Sequence, residues 1–191
     1  MAARNVTRRD ISIGAGTIVA AIGAAASASG ATHGSRIEGD DTNAEISHSN
    51  AAIHQEVDFA ASVARVYAAL TVAEQFDQVV RLSAAMNSDM KKALGSAPTR
   101  IDAQAGGAFS LFGGYVTGRM LELVANARVV QAWRAGSWDA GLYSIANYVL
   151  VQRGESTRLV FDHTGFPNAA ARHLAEGWHV NYWLPLAKFL A

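Results

Sequence analysis

The pattern of apolar and polar residues first becomes regular at residues 52–59, AIHQEVDF. Apolar and polar positions alternate there, which predicts a β-strand with one buried face. In the segment 62–80 the apolar residues have the spacing of one helical face, with Ser62 as a suitable N-cap. These apolar residues are Val63, Val66, Tyr67 and Leu70. Thr71 and Glu74 have the spacing of a capping box, so a second short helix is predicted to begin at Thr71.

Beyond Pro98 the apolar pattern has the short period of β-strands. Four or more strand-like runs follow one another, at 99–104, 108–112, 115–124, 128–133, 142–152 and 157–164. Glycine pairs at 106–107 and 113–114 separate them in the manner of hairpin turns, which predicts an antiparallel meander. Residues 82–100 have no strong strand pattern, and they are predicted to hold either a helical turn or a mobile loop.

The chain ends with the amphipathic segment 168–190, which predicts one long helix. At about 100° per residue, five of its residues form one stripe, and they are Leu174, Trp178, Tyr182, Pro185 and Phe189. Asn181 lies beside that stripe, whereas His179 and Trp183 fall well off it. The predicted fold class is α+β: a strand, two short helices and a curved antiparallel sheet wrapped around the C-terminal helix. Such a fold leaves a volume between sheet and helix, which side chains or a ligand must fill.

The first 28 residues have the composition of an export signal. Three arginines among the first nine residues precede an uncharged, weakly apolar run at 11–28, which ends in small residues. The pair Arg8-Arg9 resembles a twin-arginine signal, so we predict export to the periplasm or the extracellular space. A membrane-spanning anchor is the alternative, although the run is short and rich in small residues. Residues 29–51 are polar and aperiodic and are predicted to be a flexible linker, which leaves 52–191 as the folded domain.

The amino-acid composition excludes several classes of binding partner and of functional site. The chain has 16 Lys and Arg and 16 Asp and Glu, so no net charge attracts nucleic acid or an anionic membrane. Half of its residues are hydrophobic, which is typical of a globular domain. Cysteine is absent, which excludes disulfides, thiol catalysis and thiolate metal sites. We therefore expect no nucleic-acid partner and, after signal cleavage, no stable insertion into a membrane.

Four segments of the chain carry a resemblance to a known fold. They are FAASVARVYAALT (59–71), GGAFSLFGGYVTGRMLELVANARVVQAW (106–133), STRLVFDHTGFP (156–167) and GWHVNYWLPLAKFL (177–190). In this order they resemble the SRPBCC superfamily, the START and pollen-allergen (Bet v-like) helix-grip domains. More narrowly they are similar to the branch of the heat-shock-protein-90 ATPase activator homologues, on Gly106, Gly107, Gly118, Glu122 and Trp133. The resemblance implies the helix-grip fold over 52–191 but no single activity, because this fold hosts many functions.

The resemblance also implies which strand residues face the cavity. These are Phe109, Trp133, Tyr148, Phe161 and His163, and the closing helix adds Trp178, Asn181 and Tyr182. We therefore predict that the domain binds a small hydrophobic, aromatic or lipid-like molecule between sheet and helix. An ordinary packed core is the alternative. Related domains commonly carry an aromatic residue between the second helix and the second strand, and residues 82–100 contain none.

Two other functions remain as alternatives. A cyclase- or hydrolase-like enzyme would use the same cavity, with His163 as a general base. Asp162 cannot orient that ring, because adjacent residues on a strand point to opposite faces. A chaperone-cofactor-like protein would act through its surface. No residue is assigned a catalytic role, and no cofactor or metal site is predicted, since His173 and His179 lie on different helical faces. The chain is expected to be a monomer or a weak dimer.

Overall fold

A computed structural model describes residues 52–92 and 94–191, and within them the chain has the α+β helix-grip fold. The strands are β1 (Ala52–Phe59), β2 (Arg100–Ile101), β3 (Ala108–Leu111), β4 (Val116–Val124), β5 (Arg128–Ala135), β6 (Ser144–Arg153) and β7 (Ser156–Thr164). The helices are α1 (Val63–Thr71), α2 (Ala73–Arg81), α3 (Ala171–Trp178) and α4 (Leu184–Leu190). Three short 3-10 turns occupy Ala85–Asn87, Asp89–Lys92 and Asn168–Ala170. The predicted export signal (1–28) and linker (29–51) lie outside the described residues.

The predicted antiparallel meander is confirmed. Seven strands form one sheet in the order β1-β7-β6-β5-β4-β3-β2, so the first strand pairs with the last. In β1 the alternation predicted from the sequence places Ile53, Gln55 and Phe59 in the interior. One face of the sheet therefore covers the core, as antiparallel sheets commonly do. A β-bulge between Met120 and Glu122 interrupts the register of β4 with β5, which bends the strand.

Helices α1 and α2 follow β1 as predicted, but the second helix starts without the predicted capping box. Ser62 caps α1, because its Oγ accepts from the Arg65 N–H at 3.4 Å. Thr71 belongs to the last turn of α1, and its hydroxyl donates to the Tyr67 carbonyl at 2.8 Å. That hydroxyl is therefore directed back along α1, and the N-cap of α2 is Val72, which has no side-chain cap.

Gly118 shows why a glycine stands within β4. A Cβ atom at this position would lie 2.0 Å from the Ala132 carbonyl oxygen and 2.4 Å from Cζ of Phe109. Real carbon atoms never approach so closely, so the absence of a side chain lets the Phe109 ring pack directly against the strand. The glycine of the family-like motif thus serves the packing of the core.

The predicted C-terminal helix is present, with an irregularity that changes which side chains are buried. Between α3 and α4 the residues His179–Trp183 form a π-helical segment, in which the Leu184 N–H donates to the His179 carbonyl. The prediction that Trp183 lies off the buried stripe is wrong, because only 2% of its surface is exposed. A π-helical turn advances less than 100° per residue, so it rotates Trp183 towards the sheet. Phe189 is consequently half-buried, whereas Leu186 and Leu190 are buried.

Two contacts of the inner sheet face fix this π-helical segment. Gln55 of β1 donates its amide N–H to the Ala175 carbonyl at 2.9 Å. Its Oε1 accepts from Nε1 of Trp183 at 2.5 Å. A single buried side chain therefore binds the helix on both sides of the π-helical turn.

The stretch between α2 and β2 is a series of 3-10 turns attached to the same segment. The Ala84 N–H donates to the Val180 carbonyl at 3.3 Å, and the Ala85 N–H donates to Oδ1 of Asn181 at 2.8 Å. Leu94, further along, is buried. Of the two predictions for 82–100, the helical turn is confirmed, and this stretch forms one side of the site described next.

Candidate ligand-binding site

A cavity of about 170 Å³ lies between the C-terminal helix, the loops beyond β3 and β5, and the 3-10 turns, and it is partly open to solvent. Most of its wall is aromatic or aliphatic. The lining residues are Ala85, Leu94, Phe112, Tyr115, Val116, Trp133, Ala135, Ser137, Trp138, Ala170, His173, Leu174, Gly177, Trp178, Asn181 and Tyr182. Ser137 and His173 are exposed and mark the mouth. An apolar concave wall with a few polar groups is the usual form of a small-molecule site.

The structure divides the eight predicted site residues into two groups. Trp133, Trp178, Asn181 and Tyr182 line the cavity. The other four, Phe109, Tyr148, Phe161 and His163, are buried in the packed core and are not part of its wall. The sheet does face the helix as the resemblance implies. In the described part of the chain, side chains fill the volume around β6 and β7, and the cavity lies at the end near β5.

Aromatic rings form the wall between the core and the cavity. The ring of Trp178 lies 4.1 Å from that of Tyr182 and 5.5 Å from that of Trp133, measured between centroids. On one side Phe112 packs 5.3 Å from Tyr182, and on the other Trp138 packs edge-on at 5.3 Å from Trp133. Tilted and edge-to-face contacts of this kind are favourable for aromatic pairs and hold each ring in place. The wall is therefore preformed.

A chain of hydrogen bonds behind this wall assigns the tautomer of His163. The Trp178 indole N–H donates to Nδ1 of His163 at 3.0 Å, so Nδ1 must carry a lone pair. The neutral ring is then protonated at Nε2, which lies 2.6 Å from Oγ of Ser144 and donates to it. The Ser144 hydroxyl in turn donates to the Trp133 carbonyl at 3.0 Å. Every polar atom of the imidazole is satisfied.

This arrangement leaves His163 without a basic site for a ligand in the cavity. Its one lone pair is occupied by Trp178, and burial lowers the pKa of His163 from 6.5 to about 3. A general base needs an accessible lone pair within hydrogen-bond reach of its substrate. The geometry therefore favours a structural histidine over the catalytic one.

Several residues of the wall, above all Phe112 and Trp138, are not among the predicted site residues. Phe112 follows Leu111, and both are buried, which breaks the strand alternation. The cause is the left-handed backbone of Phe112, with φ of 51°, which turns its ring inward. Trp138 lies in the loop after β5, where no periodicity exists to place it. The pair Gly113-Gly114 directly after Phe112 is a signal of unusual backbone at this point.

Comparison with known proteins assigns the family. The model of the "Activator of Hsp90 ATPase homolog 1-like protein" family, AHSA1, matches residues 60–191. The chain belongs to the AHSA1 family. This agrees with the resemblance deduced from the four sequence segments, and it covers nearly all of the described domain.

Individual relatives share the fold at low sequence identity. The human activator of 90 kDa heat shock protein ATPase homolog 1 is 26% identical over 95 residues, which are 50% of this chain and 28% of the human protein. The crystal structure of an HSP90 activator from Plasmodium falciparum has a TM-score of 0.57 and 18% identity, and covers 70% of this chain and 90% of its own. CalU16 from Micromonospora echinospora has a TM-score of 0.58 and 18% identity, with coverages of 74% and 77%. The AHSA1 domain thus spans only about a quarter of the human relative, and the solved structures support the fold alone.

The described residues contain neither a metal-binding cluster nor a membrane-spanning helix. No three His, Asp or Glu side chains of this part of the chain are grouped so that they could hold a metal ion. Among the same residues no helix has the length and apolar character needed to cross a membrane.

Proposed function

We propose that this AHSA1-family domain is an exported binding protein for a small, mainly apolar molecule. The observation that carries the proposal is the preformed aromatic cavity between the C-terminal helix and the open end of the sheet. Trp133, Trp178 and Tyr182 line it, together with Phe112 and Trp138. Exposed aromatic surface is costly in water, so a molecule that covers it would bind with a favourable free energy.

The volume of the cavity narrows the class of ligand. An engineered apolar cavity of about 150 Å³ in another protein binds benzene. The cavity of about 170 Å³ found in this domain has room for a single aromatic ring with a short substituent. Pockets for larger ligands measure about 300–1,000 Å³, which argues against a long-chain lipid or a polycyclic ligand. For a single-ring molecule we expect a Kd on the order of 1 mM or tighter.

Gly177 offers a direct test, because it lies on α3 within the cavity wall. A Cβ atom added at this position would meet nothing within 4 Å. The variant Gly177→Leu should therefore place its side chain in the cavity without disturbing the core. We expect the wild-type protein to bind α-methylstyrene, seen as shifts of the indole N–H signals of Trp133 and Trp178 in NMR titrations. Gly177→Leu should lose this binding, with a melting temperature equal to or above that of wild type, because it also replaces a helical glycine.

The matched control is Glu176→Leu, which adds the same side chain at the neighbouring, exposed position of α3. It should bind α-methylstyrene like the wild type. If wild type shows no binding of single-ring probes, or if Gly177→Leu binds them as well as wild type does, the cavity is not the binding site and the proposal fails.

Export is the second part of the proposal, and it is supported by the pair Arg8-Arg9 and the apolar run that follows. Twin-arginine export carries folded proteins, which suits a chain without cysteine. Replacing both arginines by lysine should keep the full-length chain in the cytoplasm, whereas wild type should appear shortened in the periplasmic or secreted fraction. If the two proteins are distributed equally between the cytoplasm and the periplasmic or secreted fraction, the proposal of twin-arginine export fails.

The family assignment favours one alternative, a protein-binding role like that of a chaperone cofactor. In this case the domain would stimulate the ATPase of an Hsp90-type chaperone through its surface. Filling the cavity should then have no effect, so Gly177→Leu and wild type would stimulate equally. Stimulation together with a cytoplasmic, uncleaved chain would support this alternative over ligand binding.

A further inference from the structure

The hydroxyl of Tyr182 is the one deeply buried polar group of the cavity wall whose donor has no described partner. The Trp133 indole N–H donates to the Tyr182 oxygen at 3.4 Å, so that contact uses the hydroxyl as an acceptor. Its own proton meets no acceptor within hydrogen-bond distance among the residues that the structure describes. Only 6% of the Tyr182 surface is exposed. A buried donor left unpaired is costly, so an acceptor that reaches it from the cavity would be stabilised by this hydroxyl.

Asn181, the next residue of the π-helical segment, supplies a second donor. Its Oδ1 accepts from the Ala85 N–H at 2.8 Å, which fixes the orientation of the amide. The Nδ2 group is therefore the end that remains for the cavity that Asn181 lines. It has no described partner, and an amide NH2 can only donate. Two donors on consecutive residues thus belong to the same wall.

The charges of the wall indicate what kind of acceptor fits. No Lys, Arg, Asp or Glu is among the lining residues of the described chain. Burial raises the pKa of the Tyr182 phenol well above its usual value, so the group remains a protonated donor at any physiological pH. The basic side chain that remains in the wall, His173, lies at the exposed mouth. An anion placed beside Tyr182 and Asn181 would therefore lose its hydration without a Lys or Arg next to it, which is unfavourable. A neutral oxygen loses much less hydration free energy when it enters the cavity.

We infer that the ligand of this cavity carries a neutral carbonyl or ether oxygen on a small apolar frame, and that this oxygen accepts from Tyr182 and Asn181. The inference rests on the proposed function, because it deepens the chemistry of the same site. It assigns Tyr182 and Asn181 as the residues that determine specificity, while the aromatic rings provide the apolar contact. A site built to donate discriminates strongly against a ligand of equal shape that has no acceptor.

Two probes of nearly equal shape separate this inference from simple apolar binding. Acetophenone has a carbonyl oxygen where α-methylstyrene has a methylene group, and their affinities are measured on the full chain by NMR titration. Tyr182→Phe should lower the affinity for acetophenone relative to α-methylstyrene by about 2- to 10-fold. Asn181→Asp keeps the acceptor for Ala85 and removes the donor, so it should shift the same ratio in the same direction.

The control is Tyr148→Phe, which removes a buried hydroxyl that donates to Gln131 at 3.1 Å and does not line the cavity. It should leave the ratio unchanged. Wild type alone provides a second measurement: the carbonyl stretching frequency of bound acetophenone should fall below its value in an apolar solvent.

The outcomes distinguish the two proposals. If neither probe binds, the proposed function itself fails. If α-methylstyrene binds but Tyr182→Phe leaves the ratio unchanged, or the carbonyl frequency equals that in apolar solvent, the cavity binds ligands without this specificity and the inference is overturned. Tighter binding of benzoate than of acetophenone would overturn the assignment of a neutral acceptor.

Discussion

The buried imidazole of His163 makes the stability of the domain dependent on pH in a predictable direction. In the folded state the ring is fully buried, with its single lone pair accepting from Trp178, and its pKa falls from 6.5 to about 3. In the unfolded chain the ring takes up a proton below about pH 6.5. Between these two values the unfolded state binds one more proton than the folded state. The contribution of His163 to the free energy of unfolding therefore rises with pH across this window and is constant above it.

The size of the effect follows from the same pKa values. A difference of one pH unit inside the window corresponds to about 1.4 kcal/mol. At pH 5 the domain should be less stable than at pH 8 by about 2 kcal/mol on account of His163 alone. The variant His163→Gln removes the titrating group while it keeps an amide that can both donate and accept. We expect this variant to be less stable at pH 8, because the hydrogen bonds to Ser144 and Trp178 are imperfectly replaced, but to lose about 2 kcal/mol less on acidification.

Urea unfolding at pH 5, 6, 7 and 8, followed by tryptophan fluorescence, measures how the free energy of unfolding of wild type and of His163→Gln depends on pH. Other groups contribute equally to the two proteins: hydrogen bonding to Arg158 lowers the pKa of Asp58, for example, and the resulting acid sensitivity cancels in the comparison. His179→Gln serves as the control, because this residue has no described part in the hydrogen-bond chain. If the free energies of unfolding of wild type and His163→Gln change in parallel with pH, His163 does not remain neutral in the folded state as proposed. This result would mean that the folded state accommodates a charged ring at this position.

Three substitutions test other parts of the argument by their effect on urea unfolding at neutral pH. Gln55→Leu leaves the buried Trp183 N–H without a partner and removes one of the two donors to the Ala175 carbonyl, which keeps the His179 N–H, so it should destabilise the domain by about 1–3 kcal/mol. A loss below about 0.5 kcal/mol would show that Gln55 does not fix the π-helical turn. Gly118→Ala must displace the strand or the Phe109 ring and should cost at least about 2 kcal/mol, so a neutral result would contradict the close packing. Gly177→Ala should stabilise α3 by about 0.5–1 kcal/mol, because the new methyl group meets no atom; destabilisation would indicate that the cavity is already filled there.

The antiparallel sheet could be predicted from the sequence because the burial of its strands follows a regular alternation. One face of an antiparallel sheet is buried, so strands such as β1 carry their burial as a period of two in the sequence. The capping box predicted at Thr71 is absent for an equally local reason. Its hydroxyl can serve either the preceding helix or the next, and the sequence spacing does not reveal that α1 extends to include it.

The candidate site was predicted only in part, because half of its wall comes from outside the periodic elements. Trp133 and Trp178 were found from a strand and a helix, whereas Phe112 and Trp138 lie in turns. For Phe112 the decisive quantity is one positive φ angle, which no alternation pattern encodes. Conversely, Phe161 and His163 were assigned to the cavity because their strand faces it, but the ring of Trp178 lies 4.4 Å from that of Phe161 and occupies the space. Which part of such an interior stays open depends on side-chain volumes, not on strand direction.

The π-helical turn affects both the fold and the site, because it changes which helix residues are buried and which of them line the cavity. Pro185 explains part of this irregularity. In a π-helix the Val180 carbonyl would accept from the N–H five residues later, but that residue is Pro185, which has none. The carbonyl is therefore free to accept from Ala84, and the neighbouring Asn181 side chain accepts from Ala85. The residue that interrupts the helix thus creates the attachment point for the 3-10 turns, which carry Ala85 of the cavity wall. The same turn directs Trp183 to Gln55 and leaves Tyr182 and Asn181 facing the cavity. The π-helical irregularity, which made the helical projection wrong for Trp183, therefore also places the two hydrogen-bond donors in the cavity wall.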